Sequence, residues 1–277
     1  FSKMRYIKFI GIPTKAEGLD KLKHKKIDFL LKLGHPPYEY YVSDASPKGY
    51  VVEQMFKSSL MPPYFSGRPQ KKEIKGTAIR YLDWLFPGIL AMNMMFSALW
   101  GVGYVVVRYR KNGVLKRLKV TPLSAFEYLT AQALSRIFLL MFTLVVVWLG
   151  CDFLFSFTVL GSYVDLILIF FLGSTSLTAL GLVLASRGTS EEFTTGILNF
   201  ISWPMMFLSE VWFSLEGAPQ WVKGVSNIFP LTHILTAVRK IMHDGAGLMD
   251  VSLELTILTL MTLGFLGLGA VMFSWNK

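Results

Sequence analysis

The groups from which a catalytic or metal site could be built are sparse in this chain and poorly spaced for the task. His24 and His35 lie in a lysine-rich first segment, and His233 and His243 lie ten residues apart near the end. Two ligands on one helical face would stand three or four residues apart. These histidines therefore read as surface or interfacial, and an intramembrane enzyme centred on His233 or His243 is the weakest functional reading. The single cysteine, Cys151, allows no internal disulfide and no cysteine-rich metal site; at the end of an apolar run it reads as a small packing residue. No GxxxxGK[ST] phosphate loop, HExxH pair or GxSxG elbow occurs. No catalytic residue, metal ligand or bound cofactor is assigned to this chain. Met92, Met94 and Met95 read as adaptable packing rather than a path for soft metals.

The residues that do stand out are basic. The segment RYRKNGVLKRLKVTPLS, Arg108–Ser124, carries Arg108, Arg110, Lys111, Lys116, Arg117 and Lys119 before its first acid, which comes only at Glu127. Leu115 and Leu118 lay a thin apolar edge along it, Gly113 offers a turn, and Thr121-Pro122 stops it abruptly. Anchoring by positive charge on the inner side of a membrane accounts for the bases alone. The turn, the apolar edge and the sharp stop point further, to a short helix offered to a cytoplasmic partner. Two charges fall near or within apolar runs. Arg136 either snorkels to the inner surface or faces other protein. Glu210 either sits at headgroup level or pairs with Arg239 or Lys240, since an acid left alone in a span costs about 2.5–3.5 kcal/mol.

These residues are positioned by a chain of 277 residues that is 53% hydrophobic and only 17% charged. A soluble chain carries roughly 25% charged residues, so much of this one belongs in lipid. The charge is uneven: residues 1–80 hold 16 of the 28 Lys and Arg and 7 of the 18 acids. Residues 1–80 read as a small α/β module and linker in the order βαββα, with strands at Met4–Ile10, Ile27–Leu33 and Tyr38–Ser43. Its helices fall at Ala16–Lys26 and after the Ser46-Pro47 cap, the second burying Val51, Val52, Met55 and Phe56. Pro62, Pro63, Gly67 and Pro69 mark the linker. The lysines read as a solvated face, and no nucleic-acid partner is expected.

Residues 81–277 form an α-helical, polytopic transmembrane domain. Stretches at about 84–107, 126–150, 163–185, 197–214 and 251–273 are long and apolar enough to cross a bilayer, which takes about 20 residues. The fourth contains Pro204 and reads as kinked. Residues 216–250 are too polar to span. Trp221, Val222, Val225 and Ile228 line one short helix, and Leu231, Ile234, Leu235, Val238, Ile241 and Met242 a second, divided by Pro230. They read as a hairpin at or dipping into the membrane surface. Gly173, Ser174, Ser176, Ala179 and Gly181 in the third span, and Gly264, Gly267 and Gly269 in the last, permit close helix contact. The basic Arg108–Lys119 loop lies inside by the positive-inside rule, and 151–162, with Asp152 and no base, lies outside. Alternation then places 186–196 inside, the hairpin outside and the Ser274–Lys277 tail inside. Residues 1–80 fall outside as well, which predicts a further spanning helix ahead of Phe1.

In order and spacing these pieces resemble a type-2 ABC-transporter permease. The resemblance rests on Phe86-Pro87-Gly88 and on Arg108…Gly113-x-Leu115-x-Arg117-Leu118-x-x-Thr121-Pro122. It continues in Pro204-Met205-Met206-Phe207-Leu208-Ser209, in Pro219-x-Trp221, and in Pro230-Leu231-Thr232 with Arg239 downstream. It implies six spans in the full chain and a dimer with a second permease subunit, identical or paralogous. It also implies separate cytoplasmic ABC ATPase subunits that bind the ATP and Mg, in the bacterial cytoplasmic (inner) membrane. The Arg108–Thr121 segment would be the element that couples to the ATPase. Glu210, Trp221, Pro230 and Arg239 would belong to the outer gate and hairpin, and residues 1–80 to an extracytoplasmic domain. The function so implied is the permease subunit of an ATP-driven exporter, itself no enzyme. The alternative is a membrane receptor or scaffold whose outer module binds a ligand and whose basic loop recruits a regulator. Two departures stand out: Tyr109 and Arg110 follow Arg108 where family members commonly show an acid, and Glu210 stands where they commonly have Gly.

Overall fold

The computed structural model describes residues 10–23, 27–32, 39–43, 47–59, 70–74, 81–186, 190–215 and 218–272. The strand expected at Met4–Ile10, the Ser46 cap, the proline linker and the Ser274–Lys277 tail lie outside them, wholly or nearly so. The chain divides into two compact units, Phe1–Arg80 and Tyr81–Lys277.

In the first unit, helix α1 (Lys15–Lys23) is capped where the Glu17 amide donates to Thr14 Oγ1 at 3.4 Å. Strands β1 (Phe29–Lys32) and β2 (Glu39–Ser43) pair antiparallel, with Phe29 opposite Val42 and Lys32 opposite Glu39. Helix α2 (Pro47–Ser59) is the crossover to β3 (Gln70–Ile74), which lies parallel to β2; a parallel return needs such a crossover. The sheet order is β1-β2-β3. The core is small: the Phe29, Tyr40 and Phe56 rings meet at 5.1–5.5 Å. Two sequence expectations change here. Strand β3 (QKKEI) was not expected, because an edge strand with one apolar residue shows no alternation. On α2, Val51 and Met55 are exposed, whereas Glu53 is buried, accepting from the Tyr40 hydroxyl at 3.1 Å and pairing with Lys57 at 2.7 Å.

The second unit is helical, and its described residues include four helices long and apolar enough to cross a membrane: Tyr81–Lys111, Glu127–Phe155, Tyr163–Ala185 and Ser252–Met272. The first is three pieces in one rod: α3 (Tyr81–Ala98), a π-helical turn (Leu99–Tyr104) and α4 (Val105–Lys111). Short α5 (Val114–Lys119) follows the left-handed Gly113 (φ 72°), and α6 (Ala125–Phe155) opens on a capping box between Ser124 and Glu127. α7 (Tyr163–Ala185) is the hub of the unit. Its Gly181 has no Cβ to keep α7 from the rod: a Cβ there would stand 3.3 Å from the Ala98 carbonyl oxygen. Gly269 of α11 (Ser252–Met272) also meets α7, at Leu182 and Val183, while a Cβ at Gly264 or Gly267 would find no described residue within 4 Å.

The stretch expected at 197–214 is not one helix. Helix α8 (Glu191–Leu208) starts earlier, at the Ser190 cap, and ends where Glu210 turns left-handed (φ 60°). With Glu191, Glu192, Asn199 and Pro204, it falls outside the four long apolar helices. α9 (Gln220–Ser226) and α10 (Pro230–Asp244) fall where the two hairpin helices were expected, with Pro230 at the first turn of α10 and Gly245 (φ 67°) closing it. The apolar side of α10 is buried as its periodicity predicts, whereas Trp221 and Val225 of α9, and Ile228 just beyond it, are exposed. His233 and His243 are buried rather than surface histidines. His233 Nε2 lies 2.8 Å from the Asn227 carbonyl oxygen and so helps close the end of α9.

Candidate functional site

Two polar constellations stand at the two ends of the rod. At the basic end, α4 and α5 form a tight hairpin around Gly113. Leu115 is fully buried with Val102, Val106, Val107, Tyr128, Leu182 and Ala185, and Leu118 is half-buried against them. This apolar edge seats α5, leaving Arg108, Lys111, Lys116, Arg117 and Lys119 exposed. The Thr121 hydroxyl donates to the Leu118 carbonyl at 2.6 Å and the Thr121 amide at 3.0 Å, ending the helix before exposed Pro122. The residue that fastens the hairpin is Arg110. Its Nη1 and Nη2 donate to the Ala185 and Ser186 carbonyls, both at 3.0 Å, closing the C-terminus of α7 with a cation.

A second tie reaches α8. The Tyr104 hydroxyl donates to Glu191 Oε2 at 2.8 Å, and Lys111 Nζ lies 3.5 Å from Glu191 Oε1. Glu191 opens α8, where the helix dipole favours an anion. The Tyr104 hydrogen bond, helped by Lys111 and Arg108, holds its carboxyl below the ordinary 4.5, although desolvation, the second-largest effect, pushes the other way. The basic hairpin is thereby joined to the end of α7 and the start of α8.

At the other end of the rod, Arg239 of α10 is largely buried and reaches two segments, α3 and the end of α8. Its guanidinium lies over the Trp84 ring at 3.9 Å. Its Nη2 donates to the Glu210 carbonyl at 2.8 Å and the Trp84 carbonyl at 3.4 Å, and its Nη1 stands 3.7 Å from Glu210 Oε2. The Glu210 carboxylate also accepts from the Leu215 amide at 2.9 Å. Lys240, the other partner expected for Glu210, pairs with buried Glu254 at 2.7 Å. Glu210 and Arg239 thus come together. Pro230 is buried at the start of α10, and Trp221 stands apart, 72% exposed.

Tyr104, Glu191 and Trp84 are not marked by the sequence, and Arg110 stands out there only as a base and a departure from the family pattern, not as a tie between helices. Arg110 is hidden among six bases, Glu191 is distant in sequence from its partners, and Trp84 is one aromatic in an apolar run. Neither constellation pairs a nucleophile with a base. Among the described residues, no cluster of three or more His, Cys, Asp or Glu could hold a metal ion. What these groups can do is carry force: they tie helix ends together through charge-assisted bonds.

Comparison with known proteins assigns the scaffold. The family model described as ABC-2 type transporter matches residues 50–243. A daunorubicin resistance ABC transporter permease protein of Streptomyces coeruleorubidus is 31% identical over 99 residues, 36% of this chain and 34% of the relative. An inner membrane transport permease of Escherichia coli is 27% identical over 187 residues, 65% of this chain and 48% of the relative. ABC transporter G family member 20 of Dictyostelium discoideum is 25% identical over 173 residues, 61% of this chain and 23% of the relative. The chain thus spans half or less of each of these curated relatives. A family match over most of the length, a helical unit with four long apolar helices and the ordered loop motifs agree: this chain belongs to the ABC-2 type transporter family and is a type-2 ABC permease.

Proposed function

We propose that this chain is the membrane subunit of an ATP-driven exporter, moving a substrate from the cytoplasm or inner leaflet outward and powered by separate ATPase subunits. The observation that carries the reading is the fastened basic hairpin. An element that transmits motion must offer a surface to its driver and be tied to what it moves. α5 offers Lys116, Arg117 and Lys119 on its exposed side. Its seat at Leu115, the Arg110 cap on α7 and the Glu191 tie to α8 link it to two further helices. Arg108, Gly113, Leu115, Arg117, Leu118, Thr121 and Pro122 form the coupling element in this reading.

The α8 stretch serves as a shorter, kinked crossing, giving five crossings in this sequence. Glu210, Trp221, Pro230 and Arg239 belong to the outer gate, the Arg239–Glu210–Trp84 cluster holding α10 against α3 and the end of α8. Residues 1–80 lie on the extracytoplasmic side, the basic loop inside, and the membrane is the bacterial cytoplasmic membrane. Two permease subunits, identical or paralogous, enclose the path. ATP and Mg bind in the partner subunits, and the chemistry of hydrolysis belongs to them.

Co-purification from the native membrane in mild detergent tests the reading. A stoichiometric nucleotide-binding subunit, with ATP turnover in the complex, is expected. Arg117→Glu reverses charge on the exposed side of α5 and is expected to lower turnover tenfold or more, about the effect of losing a charge-assisted contact of 1.4 kcal/mol. Absence of any nucleotide-binding partner overturns the reading.

A further inference from the structure

We propose that Arg136 of α6, set into the notch at Gly101, is a binding site for the phosphate of an anionic lipid headgroup in the leaflet on the basic-loop side. The choice of leaflet rests on the orientation proposed above; the site itself does not.

Depth comes first. α6 has 31 residues, about 46 Å at 1.5 Å per residue, well beyond a hydrocarbon core of about 30 Å. Its long apolar run starts only at Ile137 and continues to Phe155, broken by Asp152 near the far end. That run is about 28 Å long and fills the hydrocarbon by itself. Arg136 opens that run, and the rod residues it touches, Ser97 and Gly101, lie two to three helical turns from the basic end of the rod at Arg108. The neighbouring residues Leu134, Phe138 and Leu139 are exposed, as lipid-facing residues are.

The charge is uncompensated. Arg136 is half-buried, and its Nε donates to the Ser97 carbonyl oxygen at 2.7 Å while its Nη2 donates to the same oxygen. Among the described residues it has no other hydrogen-bond acceptor and no carboxylate within ion-pairing distance. A carbonyl carries no net charge, so a full cation remains on the basic-loop side of the apolar run with Nη1 uncommitted. Such a group is costly unless it is paired.

The cation is also fixed in place. Gly101 in the π turn has no side chain, and a Cβ there would overlap the Arg136 guanidinium. The arginine lies flat against the rod rather than waving toward water. Trp100, half-buried beside Gly101, is of the type that favours headgroup level. A planar guanidinium held by two of its donors and presenting the others is suited to a phosphate, where a lysine would be a mere point charge. Basic pockets between helices on the cytoplasmic side recognise anionic headgroups in this way.

The test uses the permease purified with the subunits that accompany it and exchanged into equal mixtures of phosphatidylglycerol and phosphatidylcholine. Retained lipid is counted by native mass spectrometry. Wild type is expected to retain phosphatidylglycerol preferentially. Arg136→Gln should reduce that preference at least about fivefold, the effect of one lost charge-assisted contact. Arg136→Lys should fall between the two, and Lys223→Gln on exposed α9 should match wild type. An unchanged preference in Arg136→Gln overturns the site. Should that variant not fold, wild type alone decides: its melting midpoint must rise with phosphatidylglycerol and not with phosphatidylcholine, and a flat response overturns the proposal. ATP-driven transfer of labelled phosphatidylglycerol between leaflets marks the lipid as cargo, and retention without transfer marks it as resident; both use the site. Lipid retention needs no ATPase, so a missing nucleotide-binding partner would sink the exporter reading and leave this one standing.

Discussion

Glu210 shows how one residue can carry a conformational burden and a contact at once. It is one of two non-glycine residues among those described with positive φ, the other being Ser156, and it follows the Ser209 cap of α8. A glycine takes that left-handed position without strain, which gives a physical reason for the family's preference there. Glu210→Gly relieves about 1–2 kcal/mol of left-handed backbone strain and loses the Leu215 amide's acceptor and the 3.7 Å pairing with Arg239, together worth about 1–2 kcal/mol. Arg239 keeps the residue-210 carbonyl in either case. The melting midpoint in detergent is therefore expected to stay within about 2 °C of wild type. Glu210→Val removes the same acceptor and adds a β-branched residue in the left-handed region, and is expected to melt lower by about 1–2 kcal/mol. Equal midpoints for Gly and Val would refute this account. The pairing of Glu210 with Arg239 was legible as one of two options, because both were placed at the same end. The Trp84 stack was not legible, since nothing in a run of apolar residues marks which ring will lie under a guanidinium.

Helix contacts in this molecule depend on which atoms a glycine faces. Gly88 in α3 faces backbone: a Cβ there would stand 2.7 Å from the Val211 carbonyl oxygen. Gly173 in α7 faces the end of a flexible side chain, Ile234 Cδ1 at 2.6 Å. Similar distances thus predict different outcomes. Gly88→Ala is expected to destabilise by about 1–3 kcal/mol through overpacking. Gly173→Ala should cost clearly less, because Ile234 can change rotamer. Thermal unfolding of the two variants side by side checks this, and equal losses would show that the helices rather than the side chain must move. Element types were readable wherever periodicity was strong: α10, with six apolar positions on one side, is buried as expected. The π turn was not readable, because an apolar segment such as LWGVGY looks the same whether its hydrogen bonds run to the fourth or the fifth residue. Strand β3 escaped for the opposite reason, having almost no apolar pattern to read.

For the whole molecule, orientation decides what each end means. With Cys151 replaced by Ser, a cysteine at Lys116 is expected to react with a membrane-impermeant maleimide only after the cells are opened. One at Thr158, exposed in the α6–α7 connection, should react in intact cells. The reverse pattern would invert the orientation drawn from loop charge. The membrane character of the chain and the boundary of its helical part were plain from composition and charge, which are summed quantities. The ties between helices were not, since Arg110 and Glu191 find their partners only when separate elements fold together. One such tie has a geometric consequence. At about 100° per residue, Trp84 and Arg110 would point roughly 80° apart around an unbroken α-helix. A π turn absorbs one extra residue, and the difference falls to about 20°. The wide turn at Leu99–Tyr104 acts as a phase shifter: it brings the two inward-facing residues of the rod onto one meridian, so that removing a single residue there would rotate one end's anchor away while leaving the other in place.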